Sequence, residues 1–365
     1  MRIFVLALGT RGDFEPFWSL GQVLRRRGHQ VTIGTSGFHI QRDPELAWVR
    51  IGEGSHAELV EVLRSLAGVP LRADRANAFV EGWVAPQLRA GKEATIAVAA
   101  QHDYFISNLK LPMRRNGAVY PGVFVSYDPP CDLEDLIRPG SHLHQNRTLE
   151  LVAMPQALVD PERRWGPQFQ FTGFWQRPAW SAPPAPALQA FVEASPAPIV
   201  MTMGSMVTFA AARLARCFGE ALALCGRRGV LVGGWSALPA GPQEGGQLLV
   251  VDEADYAWLF ARAAAVIHHG GAGTVAAVLR AGVPSILLPQ IASQDSWGRL
   301  LTAANLCAGV LDTASLQAPQ LAQAIQRALD DAAMRRSAVD WAPRVAADPG
   351  VERAADLIEA HWSSL

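Results

Sequence analysis

The sequence carries little charge and no excess of either sign: Lys+Arg 32 stand against Asp+Glu 33 in 365 residues, and charged residues make up 18%. A near-neutral chain has no general electrostatic grip on nucleic acid or on an anionic membrane. No apolar run reaches the roughly 18 to 20 residues that a membrane span needs, which leaves only peripheral association with a bilayer open. Cysteine is scarce. Cys131, Cys217, Cys225 and Cys307 show no CxxC spacing and pair with no histidine cluster, so metal-site and redox-motif readings fall away. On one shared helix Cys217 and Cys225 would lie about 12 Å apart, too far for a disulfide, and buried thiols in a reducing cytoplasm are expected. The N-terminus lacks a basic region followed by a short apolar stretch and cleavage site, so no export signal is read. What is abundant is apolar: half the residues are hydrophobic, with 11 Trp and 14 Phe against 4 Tyr, which excludes disorder and supplies large cores.

The length fits two domains. Residues 3–8, IFVLAL, read as a buried parallel strand that enters a helix carrying Phe17, Leu20 and Leu24, with Pro16 in its first turn and Gly28 at its end. Val31 to Thr35 completes a βαβ unit, and strands near 103–107, 119–126 and 168–172 extend it. The proline-rich stretch from Arg177 to Pro198 suits neither a continuous helix nor a central strand and reads as a linker. Beyond it strands near 199–203, 229–233, 248–251, 265–267, 285–288 and 309–311 alternate with helical patterns. The expected organisation is an N-terminal domain over 1–178, a linker over 179–198, a C-terminal domain over 199–348, and a terminal helix over 349–365 whose apolar residues need another surface. The fold class is α/β, two Rossmann-like doubly wound parallel sheets.

Residues 266–274, VIHHGGAGT, place two histidines and three glycines between a strand and a helix. Free backbone N–H groups at a helix start, together with its dipole, hold a diphosphate without a metal. Glycine lets the chain approach the anion, Thr274 offers a hydroxyl, and His268 offers a ring N–H. A plain packing turn would not call for two histidines and a threonine. At the end of the first strand, GTRGDFEP sets Asp13 on a loop where a general base or a helix cap would serve equally, with Thr10 and Arg11 in reach of a phosphate. A dinucleotide-dependent dehydrogenase fits poorly, since residues 9–14 are not GxGxxG and the second strand ends in Thr35 and Ser36 rather than an acidic residue. A metal-dependent transferase lacks an acidic ligand motif.

Three stretches, GTRGDFEPFWSLGQVLRRRGHQVTIGT, FTGFWQRPAWSAPPAPALQAFVEASPAPIVMTMGSM and WLFARAAAVIHHGGAGTVAAVLRAGVPSILLP, occur in one order across both domains. Together they resemble the nucleotide-sugar-dependent glycosyltransferases of the GT-B fold, of the bacterial natural-product and sterol glucosyltransferase kind. The resemblance implies inverting, metal-independent sugar transfer with no cofactor, in a cleft between the domains, with the terminal helix packed back on the N-terminal domain. The donor implied is a UDP- or TDP-sugar and the acceptor a small hydrophobic natural product or lipid. Asp13 falls on the position of the general base, and Thr10, Arg11 and Gly12 on the adjoining loop facing the donor phosphates. Gly204 and Ser205 match a Gly-Ser pair at the diphosphate. Trp235 and the Val251–Asp252 segment match the nucleobase region, although a core aromatic explains Trp235 as well. His268 with Gly270, Gly271, Ala272, Gly273 and Thr274 matches the pyrophosphate loop.

The chain departs from this pattern where it reads Ser293, Gln294 and Asp295 in place of an Asp-Gln pair that binds sugar hydroxyls, and where Ala276 replaces a ribose-binding Glu. A deoxysugar donor, or compensation by Asp295, follows. Phe38, Phe79, Trp83, Met113 and Tyr127 are candidates for an acceptor pocket, each also a candidate for core. Three readings compete with transfer: a nucleotide-sugar epimerase of the same fold, a degenerate homologue acting as partner of another transferase, and a pure ligand-binding protein, which would give no reason for Asp13 in the GTRGD loop.

Overall fold

The first apolar run becomes β1 (Arg2–Leu6), with Ile3, Phe4 and Val5 fully buried on both faces. A strand covered on both sides has no polar face to alternate, which is why the run is continuous. It comes from a computed structural model that describes residues 1–37, 43–65, 80–107, 114–115, 118–119, 122–126, 149–159, 169–175, 183–204, 211–234, 238–243 and 245–365. The chain divides into two units, one of Met1–Val62, Ala76–Pro178 and Asp348–Leu365, the other including Ala179–Ala347.

In the first unit β1 leads through α1 (Arg11–Arg26) to β2 (Gln30–Thr35) and β3 (Ala47–Arg50). Helices α2 (His56–Ser65), α3 (Ala85–Ala90) and α4 (Lys92–Ala99) precede β4 (Tyr104–Ser107), followed by β5 (Gly122–Ser126), β6 (Leu149–Val152) and β7 (Phe169–Phe171). These strands form one parallel sheet in the order β3-β2-β1-β4-β5-β6-β7. The order reverses at β1, the crevice position at which α/β sheets bind ligands.

The second unit repeats the plan. It runs α5 (Pro186–Glu193), β8 (Ile199–Thr202), α6 (Ala211–Cys225), β9 (Gly229–Val232), β10 (Gly241–Pro242), β11 (Leu248–Val251), α7 (Tyr256–Phe260) and β12 (Ala265–His268). Then come α8 (Ala272–Ala281), β13 (Ser285–Leu287), α9 (Ala292–Ala303), β14 (Cys307–Val310), α10 (Ala318–Asp330) and α11 (Ala332–Ala346). The sheet order is β10-β11-β9-β8-β12-β13-β14, parallel except for the short edge strand β10. Helix α5 lies inside the stretch expected to be free of helix. It fits because Pro186 takes the first helical position, where no N–H is needed, and Leu188 and Val192 are buried against Val200, Val230 and Leu259.

The last helix, α12 (Val351–Ser363), belongs to the first unit. Its Ala354, Ala355 and Ile358 are fully buried in the cluster that holds Ile3, Phe17, Leu20 and Tyr104. Among the described residues no helix is long and apolar enough to cross a membrane.

Candidate active site

Between β1 and α1 the chain turns on Gly9, at φ +135°, and a Cβ there would stand 2.4 Å from Asp13 Oδ2. Glycine is needed on both counts. Thr10 is the N-cap of α1 and Asp13, at the third helical position, completes a reciprocal capping box. The Thr10 backbone N–H donates to Asp13 Oδ2 at 2.7 Å and the Thr10 hydroxyl donates to the same oxygen at 3.0 Å. Asp13 Oδ1 takes no hydrogen bond from another described residue. The side chain is part-buried, and lost hydration outweighs the Thr10 hydrogen bonds, so its pKa stands above that of an ordinary aspartate. The loop position expected for Asp13 is thereby corrected: α1 starts at Arg11, and Pro16 is not in the first turn but well inside the helix. Pro16 costs the helix only the N–H that would reach back to Gly12. Gly12 itself is exposed beside Thr10.

In the second unit the carboxyl ends of four strands meet. Gly204 follows β8 in the left-handed conformation, φ +60°, and a Cβ on it would lie 2.7 Å from His269 Cε1. A Cβ on Gly234 would lie 2.6 Å from the Gly204 carbonyl oxygen. The N–H groups of Gly233 and Gly234 donate to the carbonyls of Val251 (2.8 Å) and Asp252 (2.9 Å), which brings the expected nucleobase segment beside Gly204. Ser205, Trp235, Phe38, Phe79, Met113 and Tyr127 lie outside the described residues. Trp83 is described and is 2% exposed, packed over Gly54, so it serves the core and not an open pocket.

Strand β12 continues through His268, one residue further than its apolar run, and this changes what the histidine does. Its ring is fully buried. Nδ1 accepts the Gly270 N–H at 3.2 Å, which assigns the ring proton to Nε2, 3.2 Å from Ser285 Oγ. Both nitrogens are spent inside the unit, and the expectation that His268 offers an N–H to a diphosphate is corrected. Burial, with a smaller contribution from His269, holds its pKa at about 3. His269, the first residue past the strand, is also buried but lies in the turn and not in the ladder. A Cβ on Gly271 would stand 2.4 Å from its Nε2, its Nδ1 is buried with no partner among the described residues, and burial holds its pKa at about 4. The signal that would have separated the two is the strand's end: a side chain still in the ladder is committed to the sheet, the next one is not.

Helix α8 then begins, with Gly271 as N-cap. The first-turn N–H groups of Gly271, Ala272 and Gly273 have no acceptor among the described residues, while Thr274 and Val275 already bond back to Gly271. Thr274 is buried in this turn, and Gly273 faces open space. At the start of α9, Gln294 Oε1 accepts the Gln290 N–H at 2.7 Å and Asp295 is paired with Arg299 at 2.5 Å. Ser293 is part-exposed between Ala292 and Gln294.

Two nucleotide-binding-type α/β units, one ending its first strand on a capped carboxylate and the other presenting a helix start, a histidine and open amides, define a group-transfer enzyme. Residues 3–50 match the glycosyltransferase family 28 N-terminal domain, and residues 246–360 match the C-terminal domain of erythromycin biosynthesis protein CIII-like proteins. The O-mycaminosyltylonolide 6-deoxyallosyltransferase of Streptomyces fradiae is 30% identical over 100% of this chain and 98% of its own length. Sterol 3-beta-glucosyltransferase UGT80A2 of Arabidopsis thaliana is 31% identical over 100% of this chain and 66% of its own. Among solved structures, the calicheamicin glycosyltransferase CalG4 superposes with a TM-score of 0.70 at 19% identity, covering 100% of this chain and 98% of its own. SsfS6 of Streptomyces sp. SF2575, complexed with thymidine diphosphate, gives 0.65 at 20% identity and 99% coverage of both. The chain belongs to this glycosyltransferase family and has the GT-B fold.

Proposed function

We propose that the protein moves a sugar, with inversion, from a TDP- or UDP-sugar to a hydroxyl of a small hydrophobic natural-product or lipid acceptor. The observation that carries this reading is Asp13: one carboxylate oxygen is fixed by Thr10, the other takes no hydrogen bond from another described residue, and desolvation raises the basicity of the group. Asp13 Oδ1 takes the acceptor's hydroxyl proton as the acceptor oxygen bonds to the anomeric carbon. The bond from that carbon to the diphosphate breaks, its electron pair leaves with the nucleoside diphosphate, and the anomeric configuration inverts. The charge that builds on the leaving group is met by the N–H groups of Gly271, Ala272 and Gly273, the α8 dipole and His269, in place of a metal ion. The names of the antibiotic relatives and the thymidine diphosphate bound to SsfS6 favour TDP-sugars and a secondary-metabolite acceptor.

The α9 turn refines the donor. Asp295 is ion-paired with Arg299 through Oδ2, and Gln294 turns its carbonyl oxygen back to Gln290, so this turn offers a sugar an ion-paired carboxylate and an amide whose oxygen is already engaged. A deoxysugar, with fewer hydroxyls to satisfy, suits it. The test is to incubate the purified protein with TDP- and UDP-sugars and a mixed aglycone library, reading products by mass. Asp13→Asn should lower transfer by roughly 10²- to 10⁴-fold, and His269→Ala should weaken nucleoside diphosphate binding more than His268→Gln does. Transfer by Asp13→Asn at the wild-type rate would overturn the base assignment. An epimerised donor formed without any acceptor would replace transfer by epimerisation.

A further inference from the structure

Behind the diphosphate turn lies a pair of hydroxyls that the transfer chemistry does not touch. Thr202 is the last residue of β8 and fully buried, paired in register with His268 of β12. Its Oγ1 accepts the Gly204 N–H at 3.1 Å and lies 2.7 Å from the Tyr256 hydroxyl. Tyr256 opens α7, a helix capped by Asp255 through the Ala257 N–H at 3.0 Å, and its ring stacks on Phe260 with centroids 4.6 Å apart. The tyrosine is therefore held at both ends, by its ring and by its hydroxyl.

The consequence falls on Gly204. Its N–H is turned back onto Thr202, and the left-handed backbone that results places its Cα beneath His269, close enough that a methyl group would strike Cε1 at 2.7 Å. The same turn seats its carbonyl against Gly234. His269 has no hydrogen bond at Nδ1 among the described residues. Its ring orientation rests on packing between Gly204 and Gly271. Without the Thr202 bond, Gly204 regains the conformational freedom that glycine has in excess, and one wall of the His269 seat is lost. We infer that Tyr256 and Thr202 are positioning residues for the donor: a hydroxyl pair running from α7 through β8 to Gly204 that fixes the seat of His269. The inference rests on the reading of this turn as the diphosphate site.

The experiment measures thymidine diphosphate binding by calorimetry and records the His269 imidazole resonances in the ligand-free full chain, for wild type, Tyr256→Phe, Thr202→Val and Thr202→Ser. Each of the first two variants removes one hydroxyl at nearly constant volume. Both should weaken binding by about tenfold, the scale of one lost hydrogen bond, and both should move the His269 signals. Thr202→Ser keeps the hydroxyl and should bind within about twofold of wild type, whereas a role in packing alone would make Ser, the smaller residue, the worse variant. Wild-type binding and unmoved His269 signals in both Tyr256→Phe and Thr202→Val would overturn the inference. If wild type bound no nucleoside diphosphate while the His269 signals still moved in these variants, the positioning role would stand and the ligand assignment would fall.

Discussion

The two carboxylate oxygens of Asp13 differ in their contacts, and the difference sets what its replacement does. Oδ2 caps α1 through Thr10, and Oδ1 takes no hydrogen bond from another described residue, as the proposed base requires. The raised pKa means that the folded state holds the proton more tightly than the unfolded chain, so ionisation at neutral pH costs stability, and the cost appears as pH rises through the folded pKa. Asp13→Asn keeps an amide oxygen for Thr10 and removes the charge. Its thermal midpoint at pH 7 should therefore equal or exceed that of wild type while transfer collapses, and the difference should shrink as pH falls toward 4. A gap of constant size across that range would show that the carboxylate is well solvated. Gly273 gives the complementary case. A Cβ there meets nothing within 4 Å, so Gly273→Ala should fold at least as stably as wild type. The methyl group fills the space before the α8 amides, and thymidine diphosphate affinity should drop on the order of tenfold. Unchanged affinity would move the diphosphate away from this helix start.

The β12–α8 turn buries two neutral imidazoles, and its stability is pH-dependent in one direction. With folded pKa values of about 3 for His268 and about 4 for His269, the unfolded chain gains protons below about 6.5 that the folded turn refuses. Stability is complete above that pH and is lost as pH falls. At pH 5 each histidine costs about 2 kcal/mol. Urea unfolding at pH 7.5 and pH 5 should show this drop, and His268→Gln should remove roughly half of it; equal stability at the two pH values would mean that the rings are hydrated. The turn was readable as a motif, but not the facing of its two histidines, because that depends on whether β12 ends at residue 267 or 268. Other elements divide on similar physical lines. β1, β8 and β11 are continuous apolar runs closed by glycine or polar residues, the pattern of a strand covered on both faces. β6 carries Glu150, only 3% exposed, in the middle of Leu149–Val152, which breaks the apolar run, and β3 is an edge strand with a half-exposed pattern. Neither pattern reads as a strand covered on both faces. The apolar spacing of α1 is legible as a helix but its start is not, since Thr10 and Asp13 cap it ahead of a proline that the chain tolerates further in.

At the scale of the whole molecule, the chain leaves its first unit and returns to complete it. The cluster around β1, α1 and β4 closes only when Ala354, Ala355 and Ile358 of α12 arrive, some 300 residues after most of its other members. Polar contacts reinforce the seat: Arg27 donates to Glu352 and Asp356, each at 2.7 Å, His29 Nε2 lies 2.8 Å from Glu359, and the Tyr104 hydroxyl lies 2.5 Å from His361 Nδ1. The acidic partners of Arg27 are 36% to 56% exposed, so screening keeps each ion pair below about 1 kcal/mol, and apolar burial decides the docking. Arg27→Met, which removes three such pairs, should lower stability by about 1 to 2 kcal/mol. Ile358→Asp puts a charge where no solvent reaches and should cost at least about 3 kcal/mol. Hydrogen exchange separates this from general damage. Protection should fall in β1, β4, α1 and α12, whereas β12 and α8, which share no core residue with Ile358, should keep theirs. Undiminished protection in β1 and β4 would show that the first unit holds together without its last helix. A loss of protection reserved to those elements would make α12 the closing piece of the unit that carries Asp13.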